Sequence, residues 1–521
     1  PISVACAVEL VKAGRRVVMI DPHRQLPPDR AALVEEFNRK PDPKTFVASM
    51  RALRRALPLH DRAKRLPYSS THVYEGTDRF LAAETRKAIL SRSLASGGLS
   101  AMWGATVMPF AARSFRNWPV TADEMAPFYR RVAEIMDVPR VHDDLEKLYP
   151  NYGTAHPSAL SPQGAQLMSS LQSNRTRLHE SGITFGRCRS AVGASYATNG
   201  QGCTYCGLCM YGCPGNAIFN AAFVVDRLKS GPSFDHRINW IGESFEETPQ
   251  GVTVHLRHLD NGSEENIACE RLYIACGAST SVRLVAGSLK WFDFTFRLMD
   301  TQLVTIPAFL RRRSGIGPVP QANALGQVFV EISDPEMCDE IIHLQVYGYN
   351  PFIADVLRAR WGKWFMHEAL LQPLFDRLML VMAYLPGQLS GSVALRVSPL
   401  PRSEGGLPLA ICTGETNPRT LPAVKRINHI LQEHRRDFGW FPATSFTEIP
   451  EPGASHHLAG GLPMRASPGA QESDRLGRPG GLKRVHVVDG ACFPALPAEH
   501  LTYTIMANAA RIAAQSTEGR F

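Results

Sequence analysis

A chain of 521 residues, 44% hydrophobic and 20% charged, is long enough for two or three domains with large cores. Its formal charge of +9 reads first as a diffusely basic solvated surface, with an anionic substrate, an acidic redox partner or anionic lipid as the alternatives; with no arginine-rich tail and no nucleic-acid motif beside it, nucleic acid is not an expected partner. Eleven cysteines, seven of them scattered, do not make a disulfide scaffold, and no run of about 18 uncharged apolar residues predicts a membrane-spanning helix.

In chain order, "PISVACAVELVKAGRRVVMID" reads helix, turn, strand. Val4, Ala7, Val8, Leu10 and Val11 form one apolar face, Ala13-Gly14 stops the helix, and the strand ends at Asp21. In a dinucleotide-binding unit an acid at that point bonds the ribose hydroxyls of the adenosine half. The strand and glycine-rich turn that precede such a helix are missing here. Pro1 stands where the turn would finish and Ser3 where its last glycine would be, so the expected reading is a chain that begins inside the motif, and any N-terminal targeting segment would lie before it. At 96–110, "SGGLSAMWGATVMPF" puts Gly97 and Gly98 beside Ser100 and Trp103. Glycines let the backbone approach a flat or charged ligand, although an ordinary glycine-rich turn has the same composition.

The run "GCTYCGLCMYGCPGNA" from Gly202 places Cys203, Cys206, Cys209 and Cys213 at C-x-x-C-x-x-C-x-x-x-C, followed by Pro214. This is the ligand run of bacterial ferredoxins, in which the fourth cysteine serves a second cluster. No second run exists here. One cluster would use Cys203, Cys206 and Cys209 with Cys213 or a remote thiol such as Cys188, as [4Fe–4S] or [3Fe–4S]. Zinc and a metal-free loop are the alternatives. The following "NAIFNAAFVVDRLKS" reads as a helix.

Residues 237–270 alternate apolar and polar around Pro-Gln-Gly and Asp-Asn-Gly turns, which predicts a β-meander. "RLYIACGASTSVRLVAGS" then reads as a strand from Leu272 to Ala275, a turn at Gly277 and a helix. Between 286 and 450, "FTFRLMDTQLVTI", "IIHLQVYGYN", "LMLVMAYLP" and "SGSVALRVS" read as strands of only partial alternation, and residues 425–442 as an amphipathic, packed helix. "RRR" at 311–313 reads as a solvated basic turn rather than an anion site. Near the end come "SHHLAGGLPM", the strand "RVHVVD" ending at Asp489-Gly490, His500, and the helical "TIMANAARIAAQ".

Together these segments resemble the glucose–methanol–choline (GMC) family of FAD-dependent alcohol oxidoreductases. The likeness covers roughly 1–40, 90–130, 235–285 and 450–521, and the C-terminal block is its most specific part. It implies an α/β plus α+β fold: a Rossmann-like FAD-binding domain from 1–285 and 451–521, with a cysteine-rich insert at about 200–216, and a substrate domain from 286–450 built on an antiparallel sheet. By motif position it implies FAD contacts from Asp21, Gly97, Gly98, Ser100, Trp103, Gly277, Asp489, Gly490 and Thr504. Many members have Asn where Trp103-Gly104 falls. His457 matches the family's H-x-x-G histidine and His500 its His-or-Asn position; they would act as general base and orienting partner, with His456 as the immediate competitor of His457.

Some members that pass electrons to a cytochrome or quinone carry an iron–sulfur cluster, with a different cysteine spacing. The resemblance therefore implies oxidation of an alcohol, sugar or polyol by hydride transfer to flavin. Electrons would leave through Cys203, Cys206, Cys209 and Cys213 to a cytochrome, ferredoxin or quinone. The alternatives are an FAD alcohol oxidase that uses O2 without a cluster, a non-catalytic iron–sulfur carrier or sensor, and a zinc-bound structural module. The expected compartment is the cytoplasm, with periplasmic or membrane-associated placement as alternatives.

Overall fold

The structure, a computed structural model, describes residues 1–58, 61, 64–315, 322–361 and 368–518. The first helix, Ile2–Lys12, leads into the strand Val17–Asp21, which pairs in parallel with Phe234–Ile238. A second parallel pair joins Leu272–Ile274 to Val485–Val487. The last helix, Leu501–Glu518, packs along the first, and Cys6 and Leu10 bury against Val488, Ala509, Ile512 and Ala513 between them. The helix Ala122–Met136, opened by a reciprocal Thr121–Glu124 capping box, packs on the other side of the last helix. The predicted meander forms as three antiparallel strands, Trp240–Glu247, Val252–His258 and Glu264–Cys269.

The largest sheet has six strands in the order Trp440–Pro442, Leu303–Leu310, Leu378–Tyr384, Ile342–Gly348, Gly326–Ile332 and Ile183–Arg187, all antiparallel. Successive side chains of a strand point to opposite faces. On one face Val304, Ile306, Ala308, Met379, Val381, Val328, Val330, Leu344 and Val346 bury beneath two helices, Pro162–Ser173 and Thr420–Glu433. The other face offers Leu303, Thr305, Pro307, Phe309, Leu378, Leu380, Met382 and Tyr384 to a large internal cavity. Both faces are therefore apolar, which is why these strands alternate so weakly in sequence.

A four-stranded sheet, in the order Ala83–Arg86, Pro408–Glu415, Ser392–Arg402 and Thr295–Met299, sits elsewhere. Its Phe296, Leu298, Val393, Leu395 and Cys412 share a core with Val282 and Val285 of the helix Ala278–Ser288. The linear boundary drawn at residue 285 is thus crossed in both directions. Ile183–Arg187, from the 1–285 segment, is an edge strand of the large sheet. Thr295–Met299 and Ser392–Arg402, from 286–450, pack on the core of the first domain. Residues 316–321 and 362–367 of the expected second domain lie outside the described residues. No helix among the described residues is long and apolar enough to cross a membrane.

Candidate active site

The cavity under the large sheet has a volume of about 1700 Å³, above the roughly 300–1,000 Å³ of ordinary small-molecule pockets. Segments far apart in sequence line it: the first helix and strand, the 91–106 loop, 272–280, 453–458, 488–490 and 500–505. It gathers Asp21, Gly97, Gly98, Ser100, Trp103, Gly277, Asp489, Gly490, His457 and His500 onto one wall system. Thr504 is not among them.

The two histidines meet edge to face, ring centroids 4.9 Å apart at 78°. Tyr384 stacks on His457 at 5.3 Å and meets His500 at 4.7 Å. His457 Nδ1 lies 2.8 Å from Thr301 Oγ1, and its backbone N–H donates to Ser455 Oγ over 2.9 Å. That hydroxyl in turn donates to the buried Asp300 carboxylate, which also accepts from the Gly453 N–H at 2.8 Å. Burial pushes Asp300 up to about 6, against these stabilising hydrogen bonds. Burial, then the neighbouring imidazoles, hold His457 well below its ordinary value; burial and His343 do the same to His500. His500 Nδ1 is buried with no hydrogen-bond partner in the structure. His456 also lines the cavity, with Nδ1 hydrogen-bonded to Ser91 Oγ.

The glycines after His457 explain themselves locally. Ala459 exchanges backbone hydrogen bonds of 2.7 and 3.0 Å with Met299, and the Gly460 N–H donates to the Gly490 carbonyl at 2.7 Å. Gly461 has φ +102°, and a Cβ there would stand 2.6 Å from Val282. Only glycine lets this segment run so closely between the strand Thr295–Met299 and the helix Ala278–Ser288.

The residues matched to cofactor contacts divide into those that face the cavity freely and those whose polar atoms are committed to the protein. Asp21 caps its strand. Its burial disfavours the charge, but hydrogen bonds from His23 and His236 outweigh that and keep the carboxyl below its usual range. The carboxylate and the two imidazoles place ligand atoms within 4.8 Å of one another. Gly97 sits against Asn220, where a Cβ would clash at 2.0 Å, whereas Cβ atoms at Gly98 and Gly277 would meet no protein atom within 4 Å. Ser100 donates to Gly97 O at 2.6 Å and accepts from Ala221 N at 3.0 Å, so it shapes the loop. Trp103 donates from Nε1 to Phe219 O at 2.8 Å while its ring lines the cavity. Asp489 accepts from Gly277 N, Ser281 Oγ and Ala491 N at 2.8, 2.5 and 2.9 Å, locking the turn after Ile274 to the strand end.

Thr504 departs from the sequence reading. It is fully buried, 2.7 Å from Tyr129 Oη, in the interface with the helix Ala122–Met136. Two residues along a helix turn the side chain by about 200°, and Thr502 holds the cavity-facing position.

Of the four cysteines of the motif, Cys209 and Cys213 are buried and Cys203 and Cys206 partly so. Burial pushes all four thiols up, and at Cys203, Cys209 and Cys213 neighbouring thiols of the run add to it. Cys203 Sγ accepts from Tyr205 N at 3.4 Å and Cys209 Sγ from Ala324 N at 3.3 Å. Among the described residues no three of these sulfurs lie within 4.8 Å of one another. Cys188 lies apart, 3.5 Å from Ser190 Oγ.

Tyr384, Thr301, Asp300 and Arg65 were not found by motif. Their only sequence signal is a polar residue inside or beside a predicted apolar strand, or, for Arg65, none.

These elements define a two-domain α/β fold built around one internal ligand cavity with a histidine pair at its wall. No family model matches the chain, and no curated protein matches it by sequence. By structure, the chain is similar to pyridoxine 4-oxidase from Mesorbium loti, with a TM-score of 0.59 at 14% identity over 99% of this chain and 97% of that one. The likeness establishes the fold along the whole chain.

Proposed function

We propose that this protein is an FAD-dependent oxidoreductase that oxidises the CH–OH group of an alcohol, sugar or polyol, with electrons leaving through an iron–sulfur cluster to a protein or quinone acceptor. The observation that carries the first part is the His457–His500 pair, 4.9 Å apart, on the wall of the cavity that also collects Asp21, Gly98, Gly277 and Gly490. The residues fit FAD: Gly98 and Gly277 leave open space where a side chain would intrude, and an ionised Asp21 stands at the end of the strand where a ribose is bound in dinucleotide folds. Asp21 would hold the adenosine ribose, the Gly277 turn the adenine half, Gly98 and Trp103 the pyrophosphate and flavin, and Asp489 and Gly490 the ribityl and phosphate region, with Thr502 in place of Thr504 at the flavin edge. When bound, flavin supplies the hydride acceptor. With Thr301 accepting the Nδ1 proton, His457 presents Nε2 as a free base for the substrate hydroxyl proton. His500 donates to or accepts from the same oxygen and orients it. The apolar sheet face above excludes water from the reacting atoms. A neighbour in structure that is named an oxidase supports oxidation as the reaction class.

For the cluster, the support is the ligand run together with the geometry. Among the described residues no three of the four sulfurs lie within 4.8 Å of one another, and a cube places each thiolate on its own iron. Two of the sulfurs already receive N–H donors, and the buried thiols need a cation to ionise. Cys203, Cys206, Cys209 and Cys213 would hold it, and it would supply one-electron capacity beside a two-electron flavin. The second reading, an O2-using oxidase with a metal-free cysteine loop, is favoured by the name of the structural neighbour. Visible spectra with iron and sulfide analysis on anaerobically purified protein separate the two. About three to four irons per flavin is the expected result; flavin without iron removes the cluster and makes oxygen consumption the assay.

A further inference from the structure

Arg65 stands in the cavity wall between the cysteine run and the histidines. Its Nη2 donates to the backbone carbonyl of Cys209 at 3.1 Å. Its Nη1 lies 3.9 Å, and the Tyr347 hydroxyl 3.2 Å, from the point where a Cβ on Gly104 would be. Tyr347 belongs to the strand Ile342–Gly348, beside the strand that carries Tyr384 and so the histidine pair. Tyr74, the thiols of Cys209 and Cys213, and His456 complete its surroundings. Among the described residues no carboxylate pairs with it. The guanidinium is partly buried and offers five donors in a rigid fork, of which one is used by the protein. The apolar Leu380, Met382 and Phe352 that share this chamber offer its remaining donors no acceptor.

We infer that Arg65 is the anchor for a carboxylate on the substrate, so that the chamber selects hydroxy acids or sugar acids over neutral alcohols. The inference rests on the alcohol-oxidation reading above and names its substrate class. A carboxylate accepts two parallel N–H bonds from a guanidinium fork, and the Tyr347 hydroxyl is placed to add a third donor. This differs from a role as counter-ion to a metal cluster, which would engage Arg65 without any substrate.

The test uses flavin-loaded, full-length protein with matched pairs of an aldonic acid and the corresponding alditol, in wild type, Arg65→Met and Arg65→Lys. The expected result is a preference for the acid. Arg65→Met should lower kcat/KM for the acid by on the order of 100-fold, mainly through KM, and change the alditol value less than about threefold; Arg65→Lys should retain part of the preference. Calorimetry with glutarate, which carries carboxylates but no oxidisable hydroxyl, should show binding to wild type that Arg65→Met loses. Equal handling of acid and alditol by wild type, or a variant that slows both alike or only shifts a cluster signal, overturns the inference. If alcohols reduce the flavin without charge preference, the oxidation reading stands and this inference fails. If glutarate binds through Arg65 but no alcohol reduces the flavin, the reading fails and the carboxylate site stands. Should Arg65→Met not fold, the preference and glutarate binding of wild type alone still decide.

Discussion

Burial holds His457 and His500 well below the ordinary histidine value, helped at His457 by His500, His456 and His343 and at His500 by His343. A general base must be unprotonated, so lowering its pKa moves the acid limb of activity below the ordinary histidine value of about 6.5. The kcat/KM profile is expected to stay level as pH falls through 6.5 and to decline only below it; a limb at or above 6.5 contradicts the assignment. Asp300 works in the opposite sense. Its folded value of about 6 exceeds that of a free aspartate, so the folded state holds the proton more tightly. The stability it confers is complete below about pH 4 and is lost as pH rises through about 6, a change of about 3 kcal/mol. Asp300→Asn should remove that slope from the pH dependence of unfolding free energy, measured by denaturant titration as a difference from wild type. The histidines were legible because each sits in a motif with its own backbone reason, such as the Gly461 approach to Val282. Thr504 was misread because a helix turns faster than a motif match can register: Thr502 faces the cavity and Thr504 the Tyr129 interface. Arg65, Tyr384 and Thr301 were invisible because their meaning lies in contacts from distant segments.

The six-stranded sheet shows the same limit for whole elements. Leu303–Leu310, Ile342–Gly348 and Leu378–Tyr384 fall in runs read as strands, but Ile183–Arg187 and Gly326–Ile332 were missed and Trp440–Pro442 fell in a segment read as helix, because strands buried on both faces or only three residues long carry little periodicity. Membership was also hidden. Ile183–Arg187 reaches the sheet from the segment assigned to the first domain, and Thr295–Met299 leaves the second for the first core. The two faces do different work, which a pair of substitutions separates. Ile427, fully buried between helix and sheet, should lose about 2–5 kcal/mol as Ile427→Ala, seen in thermal unfolding, with kcat/KM unchanged. Leu380 lines the cavity, so Leu380→Ala should cost far less stability and instead raise KM for the preferred substrate. Equal effects of both on stability and KM would mean that the cavity face is ordinary core.

At the scale of the whole molecule, the cavity is walled by segments from both chain ends and the middle, joined by packing, strand pairing and hydrogen bonds such as Thr301–His457 and Gly277–Asp489. A ligand that touches all of them binds the folded state alone and stabilises it by mass action. FAD at about 1,000 times its Kd should add about 4 kcal/mol, read as a rise in unfolding temperature that riboflavin, lacking the adenosine half that Asp21 would hold, should reproduce only in part. The order of strand, meander, strand and helix was readable from sequence because each is local; the enclosure of a cavity by their assembly was not. The central claim is that His457, with His500 orienting the substrate oxygen, removes a substrate proton in an alcohol oxidation for which flavin would be the hydride acceptor. Anaerobic mixing of the holoprotein with a panel of alcohols, sugars and sugar acids, followed by flavin absorbance, tests it most directly. The account predicts bleaching by at least one of them, slowed by a factor on the order of 10²–10⁴ in His457→Ala with flavin content unchanged. Bleaching that is as fast in His457→Ala as in wild type, or absent with every alcohol tried, would contradict it.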